Sequence, residues 1–340
     1  MRMKRTTVTP AELQSMEQIA DNLAARFSSV EDFRFMRQAV VIAQELPLRI
    51  RQTLYEFKLS EPACGVCQLT GLALERAAIG PTPTHWQNTT ELTGTLPQQF
   101  LLVLLGSLLG EVMGWSTQQN GMLVHQVFPI RDHEHEQLGT GSRQLLWWHN
   151  EDAFHPFRPD YVCLLCLRNP DRVPTTIASL ENENFSEEEL DILFAPHFTI
   201  RPDESHQRMH RGASDRPEEI PEDAYRRIEQ MSHAPDKIAV LFGDRRDPYI
   251  RLDPYFMDTP TDAAARQALA GLRRRIDARL MDLVLEAGDI CFIDNFKAVH
   301  GRRPFQARFD GTDRWLMRVN VTRDLRKSRA SRSAPEVRVL

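Results

Sequence analysis

The sequence has no large excess of charge of one sign and no hydrophobic run long enough to cross a membrane. Its 340 residues carry a formal net charge of −5, which gives no support for nucleic-acid binding. The most apolar stretch, residues 100–109, has about half the length of a membrane span and predicts a buried core helix. No apolar run of the signal-peptide type follows Met1. We therefore expect a cytoplasmic protein whose partners include neither nucleic acid nor a membrane, and the sequence leaves the oligomeric state open.

Cysteine is also scarce, and its five copies leave one unpaired in any scheme of disulfides. Two C-x-x-C pairs, Cys64/Cys67 and Cys163/Cys166, are of the kind that bind zinc. However, Cys163 and Cys166 lie in an apolar run that predicts a buried strand, in which positions i and i+3 face opposite sides. We expect every cysteine to be a small buried side chain in a reducing compartment, without zinc.

The remaining composition is ordinary for a globular protein, with 41% hydrophobic and 26% charged residues and no internal repeat. Residues 1–115 carry mainly helical periodicity. In residues 116–325, short apolar runs are separated by turns, which is typical of β-structure. Residues 326–340 predict a solvated terminal tail. We expect one domain that is mainly β, with flanking helices.

The β-rich runs are spaced regularly enough to favour a sandwich or a barrel. Two longer helices are also expected, one from Gly94 to about Gly114 and one from Thr261 to about Glu286. The predicted strands are residues 124–130, 162–167, 239–242, 249–252, 290–293 and 315–321.

The most informative motif is His149-Asn150-Glu151. In a β-strand, residues i and i+2 point to the same side, so the histidine and the glutamate can reach one metal ion while Asn150 points away. His300 lies in an apolar stretch that begins at Ile290 and is expected to continue as one strand. Two imidazoles and one carboxylate can hold one face of an octahedral iron(II) and leave the opposite face open. The sequence therefore predicts an iron site formed by His149, Glu151 and His300.

Arg314 follows His300 by 14 residues and opens another predicted strand. Arginine is suited to bidentate recognition of a carboxylate. A 2-oxoglutarate cosubstrate that chelates iron through its keto acid end needs such a partner for its distal carboxylate. Arg314 is therefore the candidate for this role.

Several blocks, in the same order along nearly the whole chain, resemble the clavaminate synthase-like iron(II)/2-oxoglutarate oxygenases, and among them the L-arginine hydroxylases. The matching blocks are residues 82–86, 114–119, 149–154, 167–171, 200–206, 298–303 and 313–325. The resemblance implies a double-stranded β-helix (jelly roll) core, with iron(II) as the metal and 2-oxoglutarate and dioxygen as cosubstrates. It also implies that Thr176 assists Arg314 in binding 2-oxoglutarate. Glu151 as the middle ligand favours hydroxylation over halogenation, because a halogenase needs that coordination site free for halide.

The same resemblance implies a small-molecule substrate, a free L-amino acid oxidised at C3 or C4 in specialised metabolite (antibiotic) biosynthesis. The implied substrate-binding residues are Gln118 and Glu151 for the α-amine, Arg318 for the α-carboxylate, Asp203 and Ser205 on a lid, and Asp253 at the side-chain terminus. Tyr255 stands where the arginine hydroxylases have a second aspartate. L-Arginine, L-citrulline and enduracididine therefore all stay open as substrates.

Other interpretations also stay open at this point. The same chemistry could act on an amino acid tethered to a carrier protein, or the chain could be a non-catalytic jelly-roll protein that binds or senses metal. Residues 203–236 are polar and irregular, which predicts a mobile lid in preference to a solvated loop with one short helix. The His133-Glu134-His135 segment lies in a polar run and predicts a solvated loop in preference to a metal site.

Overall fold

The computed structural model describes residues 3–74, 76–89, 93–181, 183–207 and 222–340. Within these residues the helices are α1 (Pro10–Arg26), α2 (Phe33–Met36), α3 (Ala39–Ile42), α4 (Leu48–Ser60), α5 (Arg76–Ile79), α6 (Leu96–Ser107), α7 (Glu187–Leu193), α8 (Glu222–His233) and α9 (Ala263–Asp277). The strands are β1 (Lys4–Thr7), β2 (Val66–Thr70), β3 (Glu111–Met113), β4 (Val124–Val127), β5 (Leu146–His149), β6 (Tyr161–Arg168), β7 (Thr175–Ser179), β8 (Leu241–Asp244), β9 (Asp247–Ile250), β10 (Met281–Leu283), β11 (Ile290–Asp294), β12 (Ala298–Arg302) and β13 (Trp315–Thr322).

Two sheets form the centre of the molecule. The larger has the order β1-β2-β11-β6-β13-β3, with β4 also paired with β13, and the smaller has the order β10-β7-β12-β5. Leu164 and Ile293 from the larger sheet pack in one buried cluster with Ile177 and Ala298 from the smaller. The two sheets are therefore the two layers of a jelly roll, as the sequence predicted.

Helices cover the outer face of each sheet. Phe100 of α6 packs in one cluster with Val319 of β13, on the outer face of the larger sheet. Leu272 of α9 packs with Val299 of β12, on the outer face of the smaller sheet. The expectation of a mainly β core with flanking helices is confirmed, because each outer sheet face buries its apolar side chains against a helix.

The cysteines follow the alternation of the strands. In β6, Cys163 belongs to the core beneath α6, whereas Cys166 belongs to the core between the sheets. The two thiols therefore face opposite sides, as predicted. All the cysteines are buried and free, and burial raises the pKa of Cys166 to about 12. A thiol with such a pKa stays protonated and acts as a small apolar side chain.

The N-terminal part is less helical than expected, because β1, β2 and β3 lie in residues 1–115 and all join the larger sheet. The three strands have four, five and three residues, too few for an alternating pattern to stand out in the sequence. Since β2 pairs with β11, this part of the chain completes the jelly roll.

Both longer helices end earlier than predicted. Helix α6 stops at Ser107, and the chain turns through Gly110, where a Cβ would lie only 2.3 Å from the carbonyl oxygen of Thr322. Helix α9 stops at Asp277, and the following residues form β10 because they pair with β7. No proline or glycine marks the end of α9, so this boundary depends on a tertiary contact. Among the residues that the structure describes, no helix is long and apolar enough to cross a membrane.

The prediction of one continuous strand from Ile290 through His300 was wrong. The structure divides it into β11, in the larger sheet, and β12, in the smaller sheet. A turn at residues 295–297 carries the chain across the core. This crossing places His300 beside β5, which ends at His149.

Candidate active site

The three predicted metal ligands come together where β5 meets β12. His149 and His300 are direct register partners on these antiparallel strands. Glu151 lies in a turn beyond the end of β5, so the expectation that one strand carries both of its ligands was wrong. Its Oε2 nevertheless lies 3.9 Å from His149 Nε2 and 3.5 Å from His300 Nε2. The three ligand atoms all lie within 4.8 Å of one another, close enough to hold one ion.

The ligands are also oriented for a metal. His149 Nδ1 lies 2.8 Å from the carbonyl oxygen of Trp147, which can only accept, so Nδ1 carries a proton and Nε2 is the nitrogen that faces Glu151 and would bind a metal in the neutral ring. Glu151 Oε1 pairs with Arg318, whereas Oε2 is buried and has no hydrogen-bond partner within the described part of the chain. Burial raises the pKa of Glu151, but Arg318 and the two histidines outweigh it and hold this pKa well below its usual range. An unpartnered carboxylate oxygen beside two imidazoles fits iron(II).

Two buried asparagines hold the backbone around Glu151, and the sequence analysis missed the role of both. Asn295 Oδ1 accepts from the Glu151 N–H at 2.7 Å, and its Nδ2 donates to the Glu151 carbonyl at 3.0 Å. Asn150 Nδ2 donates to the carbonyls of Asn295 and Ala298, and its Oδ1 accepts from Leu252 N–H at 2.8 Å. The sequence around them carries little signal, since Asn150 stands between His149 and Glu151 and Asn295 follows Asp294. Their burial identifies them, because a buried amide must find partners.

We expect Asn295→Asp to lower iron(II) affinity by roughly 10- to 100-fold, because the carboxylate loses the donor to the Glu151 carbonyl and releases this ligand from its fixed position. Asn169→Asp is a matched control, since Asn169 bonds to the backbone of Val173 and Leu285 in the same way but away from the site. The control should lose stability but retain its iron affinity. Equal iron affinities in the two variants, measured by titration under argon, would contradict the positioning role of Asn295.

Arg314 lies just before β13 with its side chain buried, and its Nη2 donates to Thr175 Oγ1 at 3.2 Å. Thr176 was expected to assist Arg314, whereas in the structure the hydroxyl that contacts Arg314 and lines the cavity belongs to Thr175. Successive side chains of β7 alternate, so Thr175 shares the face of Ile177 between the sheets, whereas Thr176 shares the face of Ala178 toward the outer helices. Burial lowers the pKa of Arg314 to about 10, which still leaves the guanidinium charged at neutral pH.

One cavity adjoins the three metal ligands, Arg314 and Thr175. The predicted substrate-binding residues all line it as well: Gln118, Glu151, Asp203, Ser205, Asp253, Tyr255 and Arg318. The structure therefore brings together every predicted site residue except Thr176.

Arg318 is the centre of a polar network on one wall of this cavity. Besides its pair with Glu151, its Nη2 donates to His125 Nδ1 at 2.7 Å and lies 3.5 Å from Gln118 Oε1. Gln118 Nε2 in turn donates to Ser205 Oγ at 2.6 Å. His125 was not assigned from the sequence; burial, and then Arg318, lower its pKa to about 3, so it remains a neutral acceptor.

The part of the cavity around Asp253 is acidic, and Asp253 itself is buried there. The pKa of Asp253 is raised to about 6, mainly by burial; His149 opposes this shift and Asp203 adds to it. Within the described ranges, no lysine or arginine forms an ion pair with Asp203 or Asp253. Tyr255 is about half exposed, at 48%, so its phenol ring lies at the rim.

The base of the predicted lid is fixed to the core. His206 Nε2 lies 3.0 Å from Asp152 Oδ1, and its Nδ1 lies 2.7 Å from Thr117 Oγ1. Both groups of the His206–Asp152 pair are completely buried, and neither was assigned from the sequence. The lid beyond this point stays a prediction, because residues 208–221 lie outside the described residues and α8 follows them.

Comparison with known proteins agrees with this geometry. Residues 102–320 match the model of the family described as taurine catabolism dioxygenase TauD, TfdA family. The chain is 42% identical to enduracididine beta-hydroxylase of Streptomyces hygroscopicus, over 97% of both chains. It is 40% identical to an L-ornithine/L-arginine 3-hydroxylase of Catenulispora acidiphila, over 99% of this chain and 100% of the relative.

A solved structure of the non-heme iron oxygenase OrfP, in complex with Fe, succinate and (3S)-hydroxy-L-Arg, superposes with a TM-score of 0.94. It is 44% identical and covers 99% of this chain and 100% of its own. The fold match over nearly the whole chain and the family match over most of it agree with the presence of the His149, Glu151 and His300 cluster. The protein therefore belongs to the TauD/TfdA dioxygenase family.

Proposed function

We propose that this chain is a single oxygenase domain that hydroxylates a free L-amino acid with a long cationic side chain, such as L-arginine or enduracididine, at C3, with C4 as the alternative position. The observation that carries the proposal is one cavity that combines the His149, Glu151 and His300 cluster, a buried arginine, the buried carboxylate of Asp253 and the half-buried carboxylate of Asp203. The relatives named as an enduracididine beta-hydroxylase and an L-ornithine/L-arginine 3-hydroxylase support the same substrate class.

His149, Glu151 and His300 would hold iron(II), and Arg314 with Thr175 would bind the distal carboxylate of 2-oxoglutarate. When bound, iron(II) with 2-oxoglutarate and dioxygen supplies the oxidation of an unactivated C–H bond, and 2-oxoglutarate leaves as succinate and carbon dioxide. The protein's own contribution would be to hold the substrate carbon beside the three ligand residues and to keep competing groups out of the cavity.

The network around Arg318 is suited to the α-amino acid end of the substrate. The Arg318 guanidinium offers donors to an α-carboxylate, while Gln118 Oε1 and Glu151 offer acceptors to an α-ammonium group. In the described structure Arg318 already contacts Gln118 and Glu151. A bound substrate would therefore replace these contacts with its own. Such prearranged partners orient the backbone atoms and leave the side chain to extend toward Asp253.

The carboxylates of Asp203 and Asp253 favour a cationic side chain over the neutral ureido group of citrulline. Both line the cavity, and no lysine or arginine among the described residues forms an ion pair with either. A buried carboxylate such as Asp253 is costly without a cationic partner, so a guanidinium gains the most by entering. Arginine and enduracididine therefore rank above citrulline, although the second aspartate of the arginine hydroxylases is replaced by Tyr255.

The proposal is tested by anaerobic incubation with iron(II) and 2-oxoglutarate, followed by oxygen and a panel of amino acids. The panel contains L-arginine, enduracididine, L-ornithine and L-citrulline. We expect a product heavier by one oxygen atom, formed in step with succinate, and NMR then locates the hydroxyl. If only a carrier-bound amino acid is hydroxylated, the proposal of a free substrate is wrong. If iron binds but no amino acid is hydroxylated, the result favours a non-catalytic protein.

Replacing the acid at the side-chain end should change selectivity. In Asp253→Asn the amide keeps the shape but loses the charge, so we expect kcat/KM for arginine to fall by roughly 30-fold or more while citrulline is affected less. Asp282→Asn is the control, since Asp282 pairs with Arg303 on the surface of β10. Equal losses for the two substrates in Asp253→Asn would show that Asp253 does not read the side-chain charge.

A further inference from the structure

Arg302 is a buried cation that none of the roles above explains. It lies on β12, two residues after His300, and only 2% of it is exposed. Its Nη1 donates to the carbonyl oxygens of Ser142, at 3.1 Å, and Arg303, at 3.0 Å. Its Nε and Nη2 are buried and have no hydrogen-bond partner among the residues that the structure describes. Two guanidinium nitrogens are therefore available to a ligand.

The strand geometry places this guanidinium in the cosubstrate end of the cavity. Arg302 is the register partner of Thr175 on β7, and partners in adjacent strands share one face of the sheet. Thr175 is the hydroxyl that contacts Arg314, and both arginines line the cavity. His300, two residues earlier on the same strand, shares this face.

The two arginines are both buried beside Thr175, Arg314 through its contact with the hydroxyl and Arg302 as the register partner on β12. Neither guanidinium forms an ion pair with a carboxylate of the described chain. Two adjacent buried cations without an anion are strongly unfavourable, since a single unpaired buried charge already costs several kcal/mol in free energy. This end of the cavity is therefore built to receive an anion.

We infer that Arg302 binds the distal carboxylate of 2-oxoglutarate together with Arg314, so that this carboxylate lies between two guanidinium groups. The inference rests on the proposed function, because it needs 2-oxoglutarate as the cosubstrate. The Nε and Nη2 atoms of Arg302 lie on one planar edge of the guanidinium. Such an edge can donate one hydrogen bond to each of the two oxygens of a carboxylate, which is a bidentate contact. Arg302 thus sets the preference for a dicarboxylic over a monocarboxylic 2-oxo acid.

The test compares two ligands on the Mn(II)-loaded protein, which binds without turnover. The ligands are 2-oxoglutarate and 2-oxopentanoate, which has the same chain length without the distal carboxylate, and the readout is calorimetric affinity. We expect Arg302→Met to weaken 2-oxoglutarate by about tenfold or more and to leave 2-oxopentanoate within about twofold. Arg303→Met is the matched control, because Arg303 is the next residue and pairs with Asp282 at the surface.

A purely structural role for Arg302 gives a different result. If its bonds to the Ser142 and Arg303 carbonyls only hold the backbone, Arg302→Met would weaken both ligands equally and lower the Tm of the ligand-free protein, and the inference would be overturned. We expect the ligand-free Tm to be unchanged or higher, because an unpaired buried charge has been removed. Failure of the wild-type protein to bind 2-oxoglutarate at all would contradict the proposed function itself, which distinguishes the two failures.

Discussion

His149→Ala is expected to abolish succinate formation while the protein remains folded. The variant removes one of two imidazoles and leaves Glu151 and His300, which together offer too few ligands to hold iron(II) in a site with an open face. Since His149 lies at the end of β5 and contributes one side chain to a polar cavity, the sheets around it should persist. The measurements are bound iron after desalting, succinate produced from 2-oxoglutarate, and Tm.

His135→Ala is the control for this variant. His135 is exposed and belongs to the His133-Glu134-His135 segment, the other histidine pair with metal-like spacing. We expect the control to retain both iron and activity. Full activity of His149→Ala with iron bound would contradict the assignment of this residue, and loss of iron in His135→Ala would indicate a second metal site.

Arg314→Ala is expected to raise the KM for 2-oxoglutarate far more than the KM for the amino acid. Removing one partner of a buried charge pair costs on the order of 2–5 kcal/mol in binding free energy. At about 1.4 kcal/mol per tenfold change, this is roughly a 30-fold to several-thousandfold loss of affinity. We expect the lower part of this range, because Arg302 would still hold one side of the distal carboxylate.

The matched control for Arg314→Ala is Arg308→Ala, since Arg308 pairs with Asp171 in a largely exposed position six residues earlier. Its KM for both substrates should be unchanged. If Arg314→Ala leaves the dependence on 2-oxoglutarate unaltered, the role must pass to another cavity arginine, with Arg318 as the next candidate. A rise in the amino-acid KM alone would require the same reassignment.

The chemistry of the site was predictable from the sequence because it depends on residue types and short spacings. His149 and Glu151 are two positions apart, so their side chains can reach one ion whether the backbone is a strand or, as found, a strand end followed by a turn. Arg314 was identified in the same way, from a guanidinium at the start of a predicted strand. The resemblance to the family supplied the jelly roll and the substrate-binding set, which alternation alone could not distinguish from other sandwiches.

Some local boundaries were predicted well and others were not, for identifiable reasons. The apolar run at residues 162–167 is a signal contained within a few residues, and the strand predicted from it agrees with β6. The ends of α6 and α9 and the short strands β1 to β3 depend on partners far away in the chain. No local signal can report such a partner.

Residue types and short spacings were enough to identify the groups suited to chemistry here: two imidazoles, a carboxylate, an arginine suited to a carboxylate, and an acid proposed for the far end of the substrate. The face that each group occupies depends on the tertiary structure. The crossing between β11 and β12 moved His300 into the smaller sheet beside His149, and the alternation of β7 turned Thr175 inward instead of Thr176. The fold also buries Arg302 and Arg314 beside Thr175, and no acid of the described residues forms an ion pair with either guanidinium. The face on which a strand's side chain lies, and its burial, depend on the register with strands that are distant in the chain. A shift of one residue exchanges the inner and outer faces, so the order of residues alone cannot specify either property.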